Sequence, residues 1–487
     1  MKKMSKKMGK RMVSMLLAAA MGVTMFAGCG QEKKQEAVNL KWYFIGTPGM
    51  QGSDEIYKAA SDLVKRDLGY TVDFIPLETG AYGEKMKLII SSGEEFDICW
   101  TSNWLNDYVQ NVANGAFVPI DDLLDSTPKL KEVLPQQIWD GARVDGKIYG
   151  VPSQQIMARS SCAVIPKEYY DKYGSTIQDA KKYQDFTGFM SEFAKDHPEK
   201  ATVSFSWNDL TYSMGFEEIL GSGIPGAVQL EGDENDIQVY NQYATEDFKN
   251  LIKTRKEWTE KGYTVKGVQN TVPGSKFNPE LLPFEIMTYK PGLTEALAVS
   301  KECDMVAQPL SDAYLTRSGV TATMNAISAT SKHQEEALKL LEYVNTTSEL
   351  INMLTFGIEG KNYVKVDDKH IKKELDQEYT NYEWVFGNVY NTYLLDGQES
   401  TVWEDTQKMN NEAKVSRLIA FTPKTTDISL EINNCKSVID EYMSDFNNGF
   451  GDTDAKLTEM LNKLEAAGVQ KILDNLQEQI NAWKQKK

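Results

Sequence analysis

The alternation of strand and helix signals between Asn39 and Thr101 constrains this chain more than any other feature. "NLKWYFIGT" (Asn39 to Thr47) reads as a strand, and a Gly/Pro turn then leads into a helical run from Ser53 to Asp67, capped by Ser53 or Asp54. "YTVDFIPLE" (Tyr70 to Glu78) is a second strand, with Val72, Phe74 and Pro76 alternating against Thr71, Asp73 and Ile75. "YGEKMKLIISSGEEFDICWT" supplies a helix from Tyr82 to Ser91, a break at Gly93 and a third strand from Phe96 to Thr101. This order predicts an α/β fold with a parallel sheet flanked by helices.

In such sheets ligands bind beyond the carboxyl ends of the strands. That rule singles out residues 45–49, 77–82 and above all "CWTSNW" (Cys99 to Trp104). Trp100, Ser102, Asn103 and Trp104 combine flat apolar faces with amide and hydroxyl groups. A sugar ring suits that mixture, because it has a face of C–H groups and a rim of hydroxyls. Each tryptophan reads equally well as core or helix-start packing.

The N-terminus carries a different message. Residues 1 to 11 hold six basic residues and no acid, followed by the apolar run "MVSMLLAAAMGVTMFA" (Met12 to Ala27). A basic head, a short apolar run and small residues form an export signal, and the run is shorter than the roughly 20 residues that span a bilayer. Phe26-Ala27-Gly28-Cys29 resembles a bacterial lipobox, with Phe26 where Leu is preferred. The resemblance implies cleavage before Cys29 and a lipid on its thiol. "GQEKKQEAVN" (Gly30 to Asn39) then reads as a flexible spacer, and the tether is expected at residues 29–38.

Removing residues 1–28 takes the formal net charge from −17 to −23. So acidic a surface argues against nucleic acid or anionic lipid as a partner, since both need a basic footprint. Membrane contact is therefore expected through the N-terminal lipid only. The remaining cysteines, Cys99, Cys162, Cys303 and Cys435, are widely spaced and predict free, mostly buried thiols. No catalytic constellation emerges: His197, His333 and His370 are not spaced as a metal pair, and no HExxH, GxSxG or P-loop pattern is present. Acid pairs such as Glu94-Glu95 and Asp121-Asp122 are adjacent in sequence, which does not set two carboxyls across a glycosidic bond. The acids of "GSGIPGAVQLEGDENDIQVYNQ" (Gly221 to Gln242) lack the spacing of a calcium loop and read as a solvated loop or hairpin. No metal, no cofactor and no catalytic residue is expected.

Several segments together resemble the extracellular solute-binding proteins of ABC importers, carbohydrate-type (family 1). They are the lipobox, "YGEKMKLIISSGEEFDICWT", "NGAFVPIDDLLD" (Asn114 to Asp125), "VDGKIYGVPSQ" (Val144 to Gln154) and "AISATSKHQEEALKLLEYVNTTSELINMLTFGIEGKNY" (Ala326 to Tyr363). "FGIEGKNY" and the ending after Asn433 are similar to a lipoprotein subfamily with its own C-terminal domain. The resemblance implies a two-lobed, periplasmic-binding-protein-like fold with hinge strands and a helical C-terminal segment. "KIYGVPSQQI", broken by Gly150 and Pro152, "TATMNAISATS" and a stretch between Leu354 and Tyr363 are the candidate crossings. The expected divisions are a signal peptide (1–28), a tether (29–38), the first part of lobe 1 (39–153), the main part of lobe 2 (154–325), a return or hinge segment (326–367) and a C-terminal domain (368–487).

The resemblance further implies capture of a carbohydrate, an oligosaccharide in the first instance, and its delivery to ABC permease subunits by a lipid-anchored monomer. A surface glycoside hydrolase and a binding module feeding a membrane sensor are the alternatives. Ligand contacts are expected from Trp100, Ser102, Asn103, Trp104, Gln154 and Gln155, from Tyr289 at the end of "LPFEIMTYKPG", and from Arg317. For the anchor, Cys29→Ser is expected to release the exported protein from the membrane fraction, read by fractionation and immunoblotting. Retention on the membrane would remove the anchor reading.

Overall fold

The computed structural model describes residues 37–198, 214–233, 235–263, 282–373, 379 and 381–486. The signal expected at 1–28, with Cys29 and the tether expected at 29–38 except its last two residues, lies outside the described residues. Among the described residues no helix is long and apolar enough to cross a membrane.

The first lobe is built on a five-stranded sheet in the order Thr71–Leu77, Asn39–Ile45, Ile98–Thr101, Met324–Ile327, Gly150–Pro152. The first three strands pair parallel, Trp42 lying opposite Phe74 on one side and Ile98 on the other. The sheet is nevertheless mixed, because Met324–Ile327 runs antiparallel to both of its neighbours. Leu40, Trp42, Phe44 and Ile45 are buried, as expected of a strand covered on both faces. The Ser53–Leu68 helix covers one face with the stripe Ile56, Ala60, Leu63 and Val64 and stops at Gly69, which adopts the left-handed conformation.

A second sheet carries the other lobe: Ser161–Pro166 is central, flanked antiparallel by Glu285–Thr288 and Met305–Pro309. Its core is rich in aromatic rings, among them Phe186, Phe189, Phe193, Trp258 and Phe284. The C-terminal helices Ser429–Asn448, Thr453–Ala467 and Val469–Lys484 pack into this same core through Cys435, Ile439, Phe446, Met460, Leu464, Ile472 and Leu476. Residues 368–487 therefore do not stand apart as one domain. Val385 and Phe386 belong to the first core instead, Phe386 meeting Phe44 edge-on at 5.0 Å. Leu315, Val320 and Met324, expected within lobe 2, are also buried in the first core.

Three short strands join the lobes side by side: Ala158–Arg159, Tyr314–Leu315 and Lys414–Val415. Tyr314–Leu315 pairs antiparallel with Ala158–Arg159 and parallel with Lys414–Val415. None of the three coincides with an expected crossing: Gly150–Pro152 and Met324–Ile327 are strands of the first sheet, and the third member is far from the expected Leu354–Tyr363 stretch. There Leu354 is buried in the first core, while Phe356 and Tyr363 form a satellite cluster with Ile371. All four described cysteines are free, and three of them are buried.

The crossings are pinned at close quarters. The side-chain carbonyl of Asn410 accepts from the N–H groups of Met157 (3.0 Å) and Ala158 (2.8 Å), and its amide donates to the Gln155 carbonyl and the Tyr390 hydroxyl. Gly319 packs so closely that a Cβ there would lie 2.1 Å from the Met157 carbonyl oxygen. Gly319→Ala is expected to cost about 1–3 kcal/mol, the range for forced overpacking, and to be visible as an earlier denaturation midpoint. An unchanged midpoint would mean that the crossing yields freely at this point.

Candidate functional site

The strand Ile98–Thr101 ends in a turn whose side chains fix its shape. Ser102 Oγ accepts from the N–H groups of Trp104 (3.2 Å) and Leu105 (2.9 Å) and donates to the Leu105 carbonyl. Asn106 takes a left-handed conformation, φ 52°, and its amide donates to the Trp100 carbonyl. The turn therefore pushes Trp104 outward, to 55% exposure, while its indole N–H donates to the Ala322 carbonyl at 2.9 Å. Asn103 lies beside it, its amide donating to the Ser318 carbonyl at 2.8 Å.

Trp104 has neighbours from a distant part of the chain. Its ring centroid lies 6.5 Å from that of Trp384, which in turn stacks on Tyr382 at 5.1 Å and 23°. Tyr382 is itself 53% exposed. Trp384 reaches this place because its carbonyl accepts from the Thr323 hydroxyl and because the next residues, Val385 and Phe386, are anchored in the first core. The result is an aromatic wall at the carboxyl edge of the sheet.

Four of the expected contacts are committed to internal partners. Trp100 is fully buried, its indole N–H donating to Thr323 at 2.7 Å and its ring lying against Tyr82, Trp104 and Trp384. It supports the wall and offers no open face, since the sheet and residue 384 cover it on both sides. Ser102 is buried in the turn, and Gln154, 4% exposed, donates to the Val133 carbonyl. Arg317 donates to the carbonyls of Gly141 and Arg143, and burial lowers its pKa from the usual guanidinium value. Ser102, Gln154 and Arg317 are spent on backbone groups, and Trp100 on the Thr323 hydroxyl. Gln155 is half-buried, and its carbonyl accepts from Tyr390 and Asn410.

Tyr289 occupies a different place. It is half-buried, and burial is the main cause that raises its phenol above the ordinary value. It lines a cavity of about 610 Å³ that opens between the edge of the second lobe and the Val402–Glu412 helix. Pro291, Leu293 and Met409 give the lining apolar surface. Glu295, Asp312, Glu399, Asp405 and Glu412 face Lys408 and Lys414 around it. The sequence expectations include neither this helix nor Trp384. The dense aromatic run "NYEWVFGNVYNTY" (Asn381 to Tyr393) was the available signal. Among the described residues no three His, Cys, Asp or Glu side chains converge as a metal site.

One buried carboxyl sits where the third crossing strand meets the second lobe. Glu217 accepts a hydrogen bond from the Ser416 hydroxyl, and burial pushes its pKa up to about 7, against the opposing pull of Arg417. Burial favours the neutral acid, so the folded chain holds a proton there that the unfolded chain, with an ordinary carboxyl, has already lost. The stabilisation is present below the ordinary carboxylate range and is lost as pH rises through about 7. Denaturation midpoints at pH 5 and pH 8 should therefore differ less in Glu217→Gln than in the parent. An equal difference in both would show that this carboxyl titrates normally.

Residues 58–359 match the family described as bacterial extracellular solute-binding protein, and residues 417–485 match a domain of unknown function. A carbohydrate ABC transporter substrate-binding protein of Streptococcus pneumoniae serotype 4 (strain ATCC BAA-334 / TIGR4) is 27% identical over 454 residues, 91% of this chain and 90% of that protein. Among solved structures, the N-glycan transport solute-binding protein of Streptococcus pneumoniae superposes with a TM-score of 0.80 at 26% identity, covering 92% of this chain and all of that one. Its complex with Man5GlcNAc gives 0.68 at 25% identity, covering 92% of this chain and 99% of that one.

Proposed function

This chain belongs to the bacterial extracellular solute-binding proteins, and from that premise we propose that it captures an oligosaccharide between its lobes and delivers it to the permease subunits of an ABC importer. As a member of that family it is a binding protein and not an enzyme. The observation that carries the sugar reading is the wall formed by Trp104, Trp384 and Tyr382, two of whose rings are more than half exposed at the carboxyl edge of the first sheet. Such rings take the C–H face of a pyranose, while hydroxyls find amides such as those of Asn103 and Gln155. Tyr289, on the opposite lobe, supplies a further ring to the same ligand.

Closure follows from the three crossing strands. A ligand that touches both lobes binds the closed state more tightly than the open one, and only that difference shifts the population. A lipid on Cys29 holds the body as a monomer at the outer face of the membrane, with the tether setting its reach.

Isothermal titration with Man5GlcNAc and a panel of neutral oligosaccharides tests the reading. Trp104→Ala and Trp384→Ala are each expected to weaken binding at least tenfold, roughly 1.4 kcal/mol. Tight binding of an amino acid or peptide, with no saccharide bound, would overturn the carbohydrate assignment. Unchanged sugar affinity in both variants would move the site off the wall.

A further inference from the structure

We infer that residues 417–485 brace the hinge: they hold the loop after the Ala227–Gln229 strand, which grips two of the crossing strands, and so confine bending to those strands. The stretch matches a domain of unknown function and starts just after the Lys414–Val415 crossing. Its first residue, Arg417, turns into the loop. Nη1 donates to the carbonyls of Asp233 (2.7 Å) and Asp236 (3.4 Å), and Nη2 to those of Gln229 and Glu231. A rigid fork meets four carbonyls in this way, which a single ammonium on a flexible stem does not reproduce. The fit is close, since a Cβ on Gly232, at φ 138°, would lie 3.1 Å from Nη1. The acidic loop is thus built around a guanidinium.

The far end of the stretch holds the same loop. In the Val469–Lys484 helix, Gln477 donates to the Ile237 carbonyl and accepts from the Val239 N–H, both at 2.9 Å, and Lys484 donates to the Asn235 carbonyl. Between the two ends Val228 and Ile237 are buried against Leu418, Phe421 and Ile480. The loop in turn reaches the crossings: Glu231 accepts from the Tyr314 hydroxyl at 2.9 Å and pairs with Lys414 at 2.7 Å. Ser416 completes the junction, its hydroxyl donating to Glu217 and its N–H to the Leu315 carbonyl. The stretch also touches the first lobe. The Thr422 hydroxyl donates at 3.0 Å to the Arg143 carbonyl, which Arg317 also uses, and Lys424 pairs with Asp145 at 3.1 Å. Asn410 and Arg317 hold the first-lobe ends of the crossings, and the braced loop holds the second-lobe ends. Held at both ends, the short strands are where a change of dihedral angles is taken up.

Hydrogen exchange read by mass spectrometry on the full exported chain without ligand tests the brace, and because it needs no ligand it stands apart from the carbohydrate reading. The amides of Lys414 and Ser416 bond to the Ala313 and Leu315 carbonyls across the crossings. In Arg417→Ala, and separately in the milder Gln477→Ala, peptides that carry them are expected to exchange at least about tenfold faster, with the Asn39–Ile45 strand unchanged. Met460→Ala, which opens a cavity in the helical core away from the loop, is the control for a general loss of stability. It should lower the denaturation midpoint and leave the crossing amides at the parent rate. Unchanged crossing amides in both Arg417→Ala and Gln477→Ala would overturn the inference. Equal acceleration in Met460→Ala would overturn it as well, because the crossings would then report only the stability of the second lobe.

Discussion

A single carboxamide holds together the part of the molecule that has to bend. Asn410 saturates the backbone N–H groups of Met157 and Ala158, the Gln155 carbonyl and the Tyr390 hydroxyl, all at the mouth of the first crossing strand. Backbone donors at a crossing have no regular partner along their own strand, and a buried N–H without a partner costs roughly 1–3 kcal/mol. By meeting four needs at once, Asn410 fixes where the first lobe ends and the first crossing begins. It also fixes the Val402–Glu412 helix, and hence one wall of the cavity beside Tyr289.

A second buried amide has a similar influence on the aromatic wall. Asn325 accepts from the Trp42 indole at 3.0 Å and donates to the Val385 carbonyl at 2.8 Å, from the middle of the first sheet. That bond docks residues 382–386 against the sheet, and the wall follows from it. Trp384 and Tyr382 stand beside Trp104 because Val385 and Phe386 are sunk in the core immediately after them. Packing energy from the core is thus converted into the orientation of exposed rings, which by themselves have little to hold them in place.

Legibility varied along the chain for physical reasons. The first three strands and two helices were readable because their signals are local: apolar density for the strands, a 3.6-residue stripe for Ser53–Leu68, and a left-handed glycine at each helix end. The helical character of the C-terminus was implied by the family resemblance, but the core it serves was not. Trp100 and Trp104, four residues apart, illustrate the limit for the site. Both sit at a strand end and look alike in sequence, yet one is fully buried and the other 55% exposed. The difference is made by Ser102, Asn106 and Thr323, and by a tail segment some 280 residues further on.

The sequence alone determined the class of element in the first three strands and the two helices between them, the α/β character of the body, the acidity of the chain, and a family resemblance carried by several separate segments. These depend on periodicity, composition and order, all properties of neighbouring residues. Only the tertiary structure decided that residues 368–487 divide between two cores, that Lys414–Val415 is the third crossing strand, and which side chains line the cavity beside Tyr289. Those outcomes depend on pairing between residues hundreds of positions apart. Which polar groups remain available to a ligand is known only after every buried backbone donor and acceptor has found its partner.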